Sequence, residues 1–509
     1  MDNGKSKRTR NKWVWAAILI VFAGSVFFIY QMYFKRAAFT GREKTVAVLP
    51  FINLGNDSSD DYLNDGMTEE IINQLSKITG LRVVARSSVM KYKGHEKDLQ
   101  KIADTLQVAS VLTGGIRKTG NKLIIQTSLM DVGTGKSIWE ESYDRDINDI
   151  FSIQTEVAQL IADKLNTEIS ANEINNIHKR STQNLEAYDR YLQGLYFWNK
   201  GTFPDLWKAI GFFNQAIQLD SGYSKAWSGM ADCYSALGYA SYEKPADAFL
   251  KAEQAANKAL QLDSTLAEPH TSLGYIKFYY YWDWPGAQKE FLTAIRLNPS
   301  YIMAYDSYCY YLTAMERFPE AREVIEKAVQ LDPLSARMNT DLGFNLYYMH
   351  HYDEAISTLK TSLSLNPKYG LARIWLARTY LEKKMYKEAL DENNRVLKVN
   401  TTWPVALAAI GYIYGISGHK QEAASILDSM IRLSRSKYVT PYGVALVYAA
   451  LNDKENAFKC LDQAYADRAN WLVWIKLDPR WRPLYDDKRY AALVKKVGLP
   501  MGSGNLSRK

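Results

Sequence analysis

The chain is poor in the residues that usually carry chemistry. Only three cysteines occur in 509 residues, Cys233, Cys309 and Cys460. They are odd in number, far apart and without a CxxC, which excludes a disulfide framework and a cysteine zinc site. The six histidines, His95, His178, His270, His350, His351 and His419, fall in no HExxH or other ligand spacing,. No GxSxG elbow appears, and no cysteine has an activating neighbour in the sequence. The stretch GTGKS (133–137) lacks the first glycine of a phosphate loop, since Met130 stands in its place, and it lies between two strand-like segments,. The expectation is a protein with no catalytic residues, no metal and no cofactor.

Charge of one sign is also lacking where it would count. Residues 1–44 hold nine basic side chains and two acidic ones, which leaves 54 basic and 53 acidic in the remainder. A balanced body gives no electrostatic reason to bind nucleic acid. With 47% hydrophobic and 23% charged residues the body is globular rather than disordered,. Tyrosine (35) and tryptophan (13) are abundant, as expected where large side chains wedge between stacked helices.

One long apolar run stands out. Residues 13–34, WVWAAILIVFAGSVFFIYQMYF, carry no charge and are long enough to span a bilayer as a helix,. Tryptophans at one end and tyrosines at the other fit the two interfaces. The run is too long for a signal-peptide core. Residues 1–12 are then a basic cytoplasmic tail and 13–34 a transmembrane helix. For a bacterial chain, this predicts a single-pass inner-membrane protein with its bulk in the periplasm.

Beyond Thr45 the pattern is mixed. TVAVLPF (45–51), LRVVARSS (81–88), ASVLTGGIRK (109–118), KLIIQTSLMDV (122–132) and SIWEESYDR (137–145) read as strands,. Segments 62–79, 98–108 and 148–169 have helical spacing,. The order β-α-β-α-β-β-β-α predicts a small mixed-sheet α/β domain over 45–169. The motifs TVAVLPFINLGND, DYLNDGMTEEIINQLSKITGLRVVARSS, VLTGGIRKTGNKLIIQTSLMD and IWEESYDRDINDIFSIQTEVAQLIADKL resemble the TolB amino-terminal-like domain from about Thr45 to Leu165. That resemblance implies a repeat array downstream. Its relatives are often fused to cyclase, winged-helix or kinase domains, whereas here a short basic tail and the apolar run precede Thr45.

The strongest signal is a repeat. Helix-ending tags recur at Asp220, Asp263, Asn298, Asp332, Asn366, Asn400 and Ser434, separated by 43, 35, 34, 34, 34 and 34 residues. The longer first gap holds an insertion around 239–249. Small residues recur at Ala209, Ala252, Ala287, Ala321, Ala355, Ala389, Ala423 and Ala457, and again at Gly274, Cys309, Gly343, Ala377 and Gly411. Two helices that cross closely need such residues at the crossing. A period of 34 is that of the tetratricopeptide repeat (TPR). The reading is a linker over 170–186, about eight repeats over 187–466, a helical cap over 467–500 and a disordered tail over 501–509. The fold class is thus α/β plus all-α: a transmembrane helix, a small α/β domain and a TPR solenoid with an end-cap.

Aligned units place Tyr275, Tyr310, Phe344, Arg378 and Tyr412 at one position, with Tyr279, Tyr347 and Tyr348 nearby. This column is the candidate groove for a protein or peptide. The other reading, in which the aromatics pack between first helices, stays open. The expected function is a membrane-anchored, non-enzymatic scaffold that binds protein partners and no nucleic acid. The alternative is an envelope signalling regulator.

Overall fold

The computed structural model describes residues 44–55, 61–94 and 98–500. A six-stranded sheet comes first. Strands β1 (Thr45–Val48), β2 (Ile52–Asn53), β3 (Arg82–Val83), β4 (Ser110–Thr119), β5 (Lys122–Asp131) and β6 (Lys136–Asp146) lie in the order β3-β1-β4-β5-β6, with β2 also beside β4. β1 runs parallel to β3 and β4, and β4-β5-β6 form an antiparallel meander. Residues 133–135 make the β5–β6 turn, so GTGKS sits in a hairpin. Helices Asp61–Leu75 and Ile150–Lys164 pack together, and their Met67, Ile71, Val157 and Ile161 are buried in one shared core.

One predicted strand is mostly absent. Of 81–88, only Arg82–Val83 pair, and Arg86–Val89 turn into a short helix. The cause lies far along the chain. Ala85 N donates to the Leu331 carbonyl at 3.0 Å, and Ser88 Oγ donates to Asp332 at 2.6 Å. A tertiary contact outbids the local β pattern.

Eight helix pairs follow, from Leu185–Trp198 and Phe203–Leu219 in the first unit to Pro441–Ala450 and Lys454–Ala466 in the eighth. The crossings explain the small residues. A Cβ on Gly274 would stand 2.6 Å from the Phe291 ring, and one on Gly343 would stand 2.6 Å from Leu359 Cγ. The 239–249 insertion carries Tyr242, whose hydroxyl accepts from Asn400 across the superhelix at 3.4 Å.

The α/β part and the array are not separable bodies. One apolar cluster joins the sheet core to units one and two, from Val46 to Leu237; a second runs from Ala231 through unit eight to Leu499. Several repeat tags are docking points for the N-terminal part. Thr182 donates to Asp220 at 2.6 Å, Lys179 to Asp263 at 2.5 Å, and Lys91 to the Leu365 carbonyl at 2.9 Å.

The expected fold class is corrected at its head. The protein is a mostly helical TPR-like solenoid, and among the described residues no helix is long and apolar enough to cross a membrane. The run 13–34 lies outside the described residues, as does 501–509. The predicted transmembrane helix is therefore no part of the observed architecture. The predicted inner-membrane, periplasm-facing location is corrected on the same finding.

Candidate functional site: the inner face of the superhelix

First helices line the inside of the solenoid, and in units four to seven they are buried nearly all round. Ile302–Ala314 buries every residue from Asp306 to Ala314, whereas its partner Phe318–Leu331 buries only Ala321, Ile325, Ala328 and Leu331. A helix buried on both sides has a second layer over it. That layer is the C-terminal segment, two 3₁₀ turns (Asn470–Trp474 and Pro479–Leu484) and a helix (Lys488–Val497). It covers more than the last repeat, because it crosses the concave face back to unit two. Asn470 donates to the Tyr239 carbonyl at 2.9 Å, and Trp284 donates to the Gly498 carbonyl at 2.8 Å. Lys476 pairs with Glu316, and Arg482 with Glu382 at 2.8 Å.

Trp474 is its central knob. Its ring lies 5.0 Å from Phe344, 5.5 Å from Tyr348, 6.0 Å from Phe278 and 6.2 Å from Tyr310. Arg378 is sandwiched, with its guanidinium 4.3 Å from the Trp375 ring and 5.2 Å from that of Trp471. Burial, reinforced by Arg480, holds the Arg378 pKa below its usual value. Asp478 grips Arg480 through Nε at 2.8 Å and also accepts from Tyr442 at 3.1 Å. Burial pushes the Asp478 carboxyl up, but Arg480 and Arg378 outweigh it and hold the pKa low.

The predicted groove residues therefore divide. Tyr279, Tyr310, Phe344, Tyr347, Tyr348, Arg378 and Tyr412 are buried, and Tyr275 is half-buried. Phe344 and Tyr348 pack directly on Trp474, and Arg378 on Trp471. Tyr275 and Tyr310 face an open chamber of about 2270 Å³ between the inner face and the α/β part. Tyr239 joins them there, 5.7 Å from Tyr275 and 6.4 Å from Tyr310. At the same wall Arg337 donates to Asp306 at 2.7 Å, and Tyr310 donates to Asp341. Burial and the adjacent Asp306 raise the Asp341 pKa well above the carboxylate range.

Two groups of residues escaped the sequence reading. Asp232 occupies the aromatic column's place in unit two, at the same distance behind its tag. The aligned column began at unit three and left this position out. Trp471 and Trp474 were assigned to an end-cap. The missed signal was first helices such as PVALAAIGYIYGI (404–416), apolar on every side.

Comparison with known proteins fits this anatomy in part. A tetratricopeptide-repeat family model matches residues 346–410. The repeats are tetratricopeptide repeats. A model for the second domain of HilA/YgeH-like transcriptional regulators matches residues 42–160, so the TolB-like resemblance over that stretch is not supported. The chain is 34% identical over 187 residues to putative adenylate cyclase 3 of Rhizobium meliloti, which covers 37% of this chain and 32% of that protein. It is 21% identical over 341 residues to transcriptional regulator HilA of Salmonella typhimurium, covering 65% and 53% respectively. It is 30% identical over 106 residues to Hsp70-Hsp90 organizing protein 3 of Arabidopsis thaliana, covering 21% and 19%. The chain thus spans about a third of the cyclase relative and half of the HilA relative. Among the described residues no cluster of three potential metal ligands occurs.

Proposed function

We propose that the protein is a non-enzymatic scaffold that holds a polypeptide partner in the chamber rather than along the full aromatic column. The observation that carries this reading is the division of the inner face. Residues 469–499 cover its far half, while Tyr239, Tyr275 and Tyr310 remain at the wall of the open part. A chamber of this size with aromatic walls and scattered polar groups suits a folded-back or extended peptide. The likeness to a Hsp70-Hsp90 organizing protein over part of the array agrees with a protein-binding role. The test is a photo-crosslinking residue at Tyr275, compared with one at the exposed second-helix position Leu292 in the full chain. A polypeptide adduct specific to position 275 is expected; equal adducts at both positions would remove the proposal.

A second reading, a signalling regulator, is favoured by the match of residues 42–160 to a regulator domain. It is tested by transcript profiling of a deletion strain complemented with wild type or with Asp332→Ala, which loosens that domain from the array. Identical profiles would count against it.

A further inference from the structure

The first helix of unit two presents a polar stripe to the chamber. Ser228, Asp232, Ser235 and Tyr239 follow one another at helical spacing on one face, and all four line the cavity,. Where units three to seven carry an aromatic or an arginine, this one carries a carboxylate. Glu268, which opens the first helix of unit three, lines the same wall.

Among the described residues neither acid makes a direct ion pair, although Glu268 lies within the field of Lys77 and Lys225. Asp232 accepts one hydrogen bond, from Ser272 at 2.5 Å. The nearby cations are engaged elsewhere: Lys225 on Glu70 at 2.6 Å, and Arg337 on Asp306 at 2.7 Å. Burial pushes the Asp232 pKa to about 7 against the Ser272 hydrogen bond, with Glu268 adding to the rise and Arg337 opposing it. A second, independent feature points the same way. Ser228 Oγ and Ser235 Oγ have no hydrogen-bond partner although the residues are only 4% and 7% exposed. Unpaired buried hydroxyls cost stability unless something completes them. A carboxylate pair, spare acceptor hydroxyls and adjacent tyrosine faces together describe a receptor for a cation with several N–H donors.

We infer that the unit-two end of the chamber binds the cationic head, ammonium or guanidinium, of the ligand, held by Asp232 and Glu268 against Tyr239 and Tyr275. This rests on the chamber being the binding site proposed above. The head has two sources, a Lys or Arg side chain of a polypeptide or a free amine, and the experiment separates them.

The full chain is titrated calorimetrically with three probes: a capped pentapeptide of Ala and Ser around one central Lys, its norleucine counterpart, and propylammonium. The Lys peptide is expected to bind at least about tenfold more tightly than the norleucine peptide, as a charge-assisted contact requires. Asp232→Asn and Glu268→Gln should each erase that preference. Asp232→Asn keeps the side-chain shape and removes an unpaired charge, so it should leave the fold intact by circular dichroism. Equal binding of the two peptides overturns the cation site and leaves the chamber reading standing. Propylammonium binding as tightly as the Lys peptide supports the cation site and overturns the polypeptide reading. No binding by any probe overturns both.

Discussion

Phe344 and Tyr275 hold the same place in repeats two units apart, yet they live in different surroundings. Phe344 lies 5.0 Å from Trp474 and 4.7 Å from Trp375, inside a core built from both ends of the array. Tyr275 touches Tyr239 and Tyr279 and keeps one side on the chamber. Repeat position alone does not decide what an inner-face residue does; what lies over it does. In units four to seven the first helices are buried nearly all round, whereas in units two and three Asp232, Tyr239 and Tyr275 stay half-buried at the chamber wall.

The sharpest way to break this contrast is to truncate the pair. Phe344→Ala should lower unfolding free energy by about 3–5 kcal/mol, the cost of deleting a fully buried ring. Tyr275→Ala should cost about 1–2 kcal/mol, in line with partial burial. Urea denaturation reads both, and equal losses would mean that the two halves do not differ. Trp474→Ala should match Phe344→Ala and also open residues 469–499 to limited proteolysis.

Next in size is the buried charge under the closed half. Asp478→Ala strands Arg480 and should cost about 3–5 kcal/mol, because an uncompensated buried charge is worse than no pair at all. Adding Arg480→Met to Asp478→Leu should restore most of that stability; a double variant as weak as the single one would show that the pair does more than neutralise itself.

Gly343→Ala is a smaller perturbation. Its Cβ would press on Leu359 at 2.6 Å, with an expected cost of about 1–3 kcal/mol by thermal or chemical unfolding,. The smallest effect belongs to the seam with the α/β part. Ser88→Ala removes one donor from Asp332, expected to cost about 1 kcal/mol and to speed amide exchange at Ala85,. If exchange there is unchanged, the short Arg86–Val89 helix has a local cause after all.

The array was legible because its rule is local and repeated. Ala321, Ala355 and Ala389 mark the same crossing every 34 residues, and helix ends carry the same tags. The β4-β5-β6 meander was legible for a similar reason, since alternation and turn residues sit side by side. What escaped was non-local. Ser87 and Ser88 look like strand residues until Asp332 is placed beside them, and Trp474 looks like a cap until four rings from units three to five surround it. Tyr279 and Tyr347 were recognised as inner-face residues, but no spacing in the sequence says whether an inner face is covered. The aromatic column could be placed on the first helices, while which of its members are buried was not visible.

The covering of units four to eight by residues 469–499 also has a consequence in time. A simple repeat array can fold by adding one unit to the last, each contact closing between neighbours. Here Phe344 meets Trp474 across a sequence separation of 130 residues. During synthesis the inner faces of the middle repeats stay wet, and sticky, until the final helix arrives from the ribosome. Contacts of such long sequence separation form slowly and leave apolar surface exposed meanwhile. A nascent chain stalled in unit eight should therefore be a customer for chaperones, although every repeat is already written.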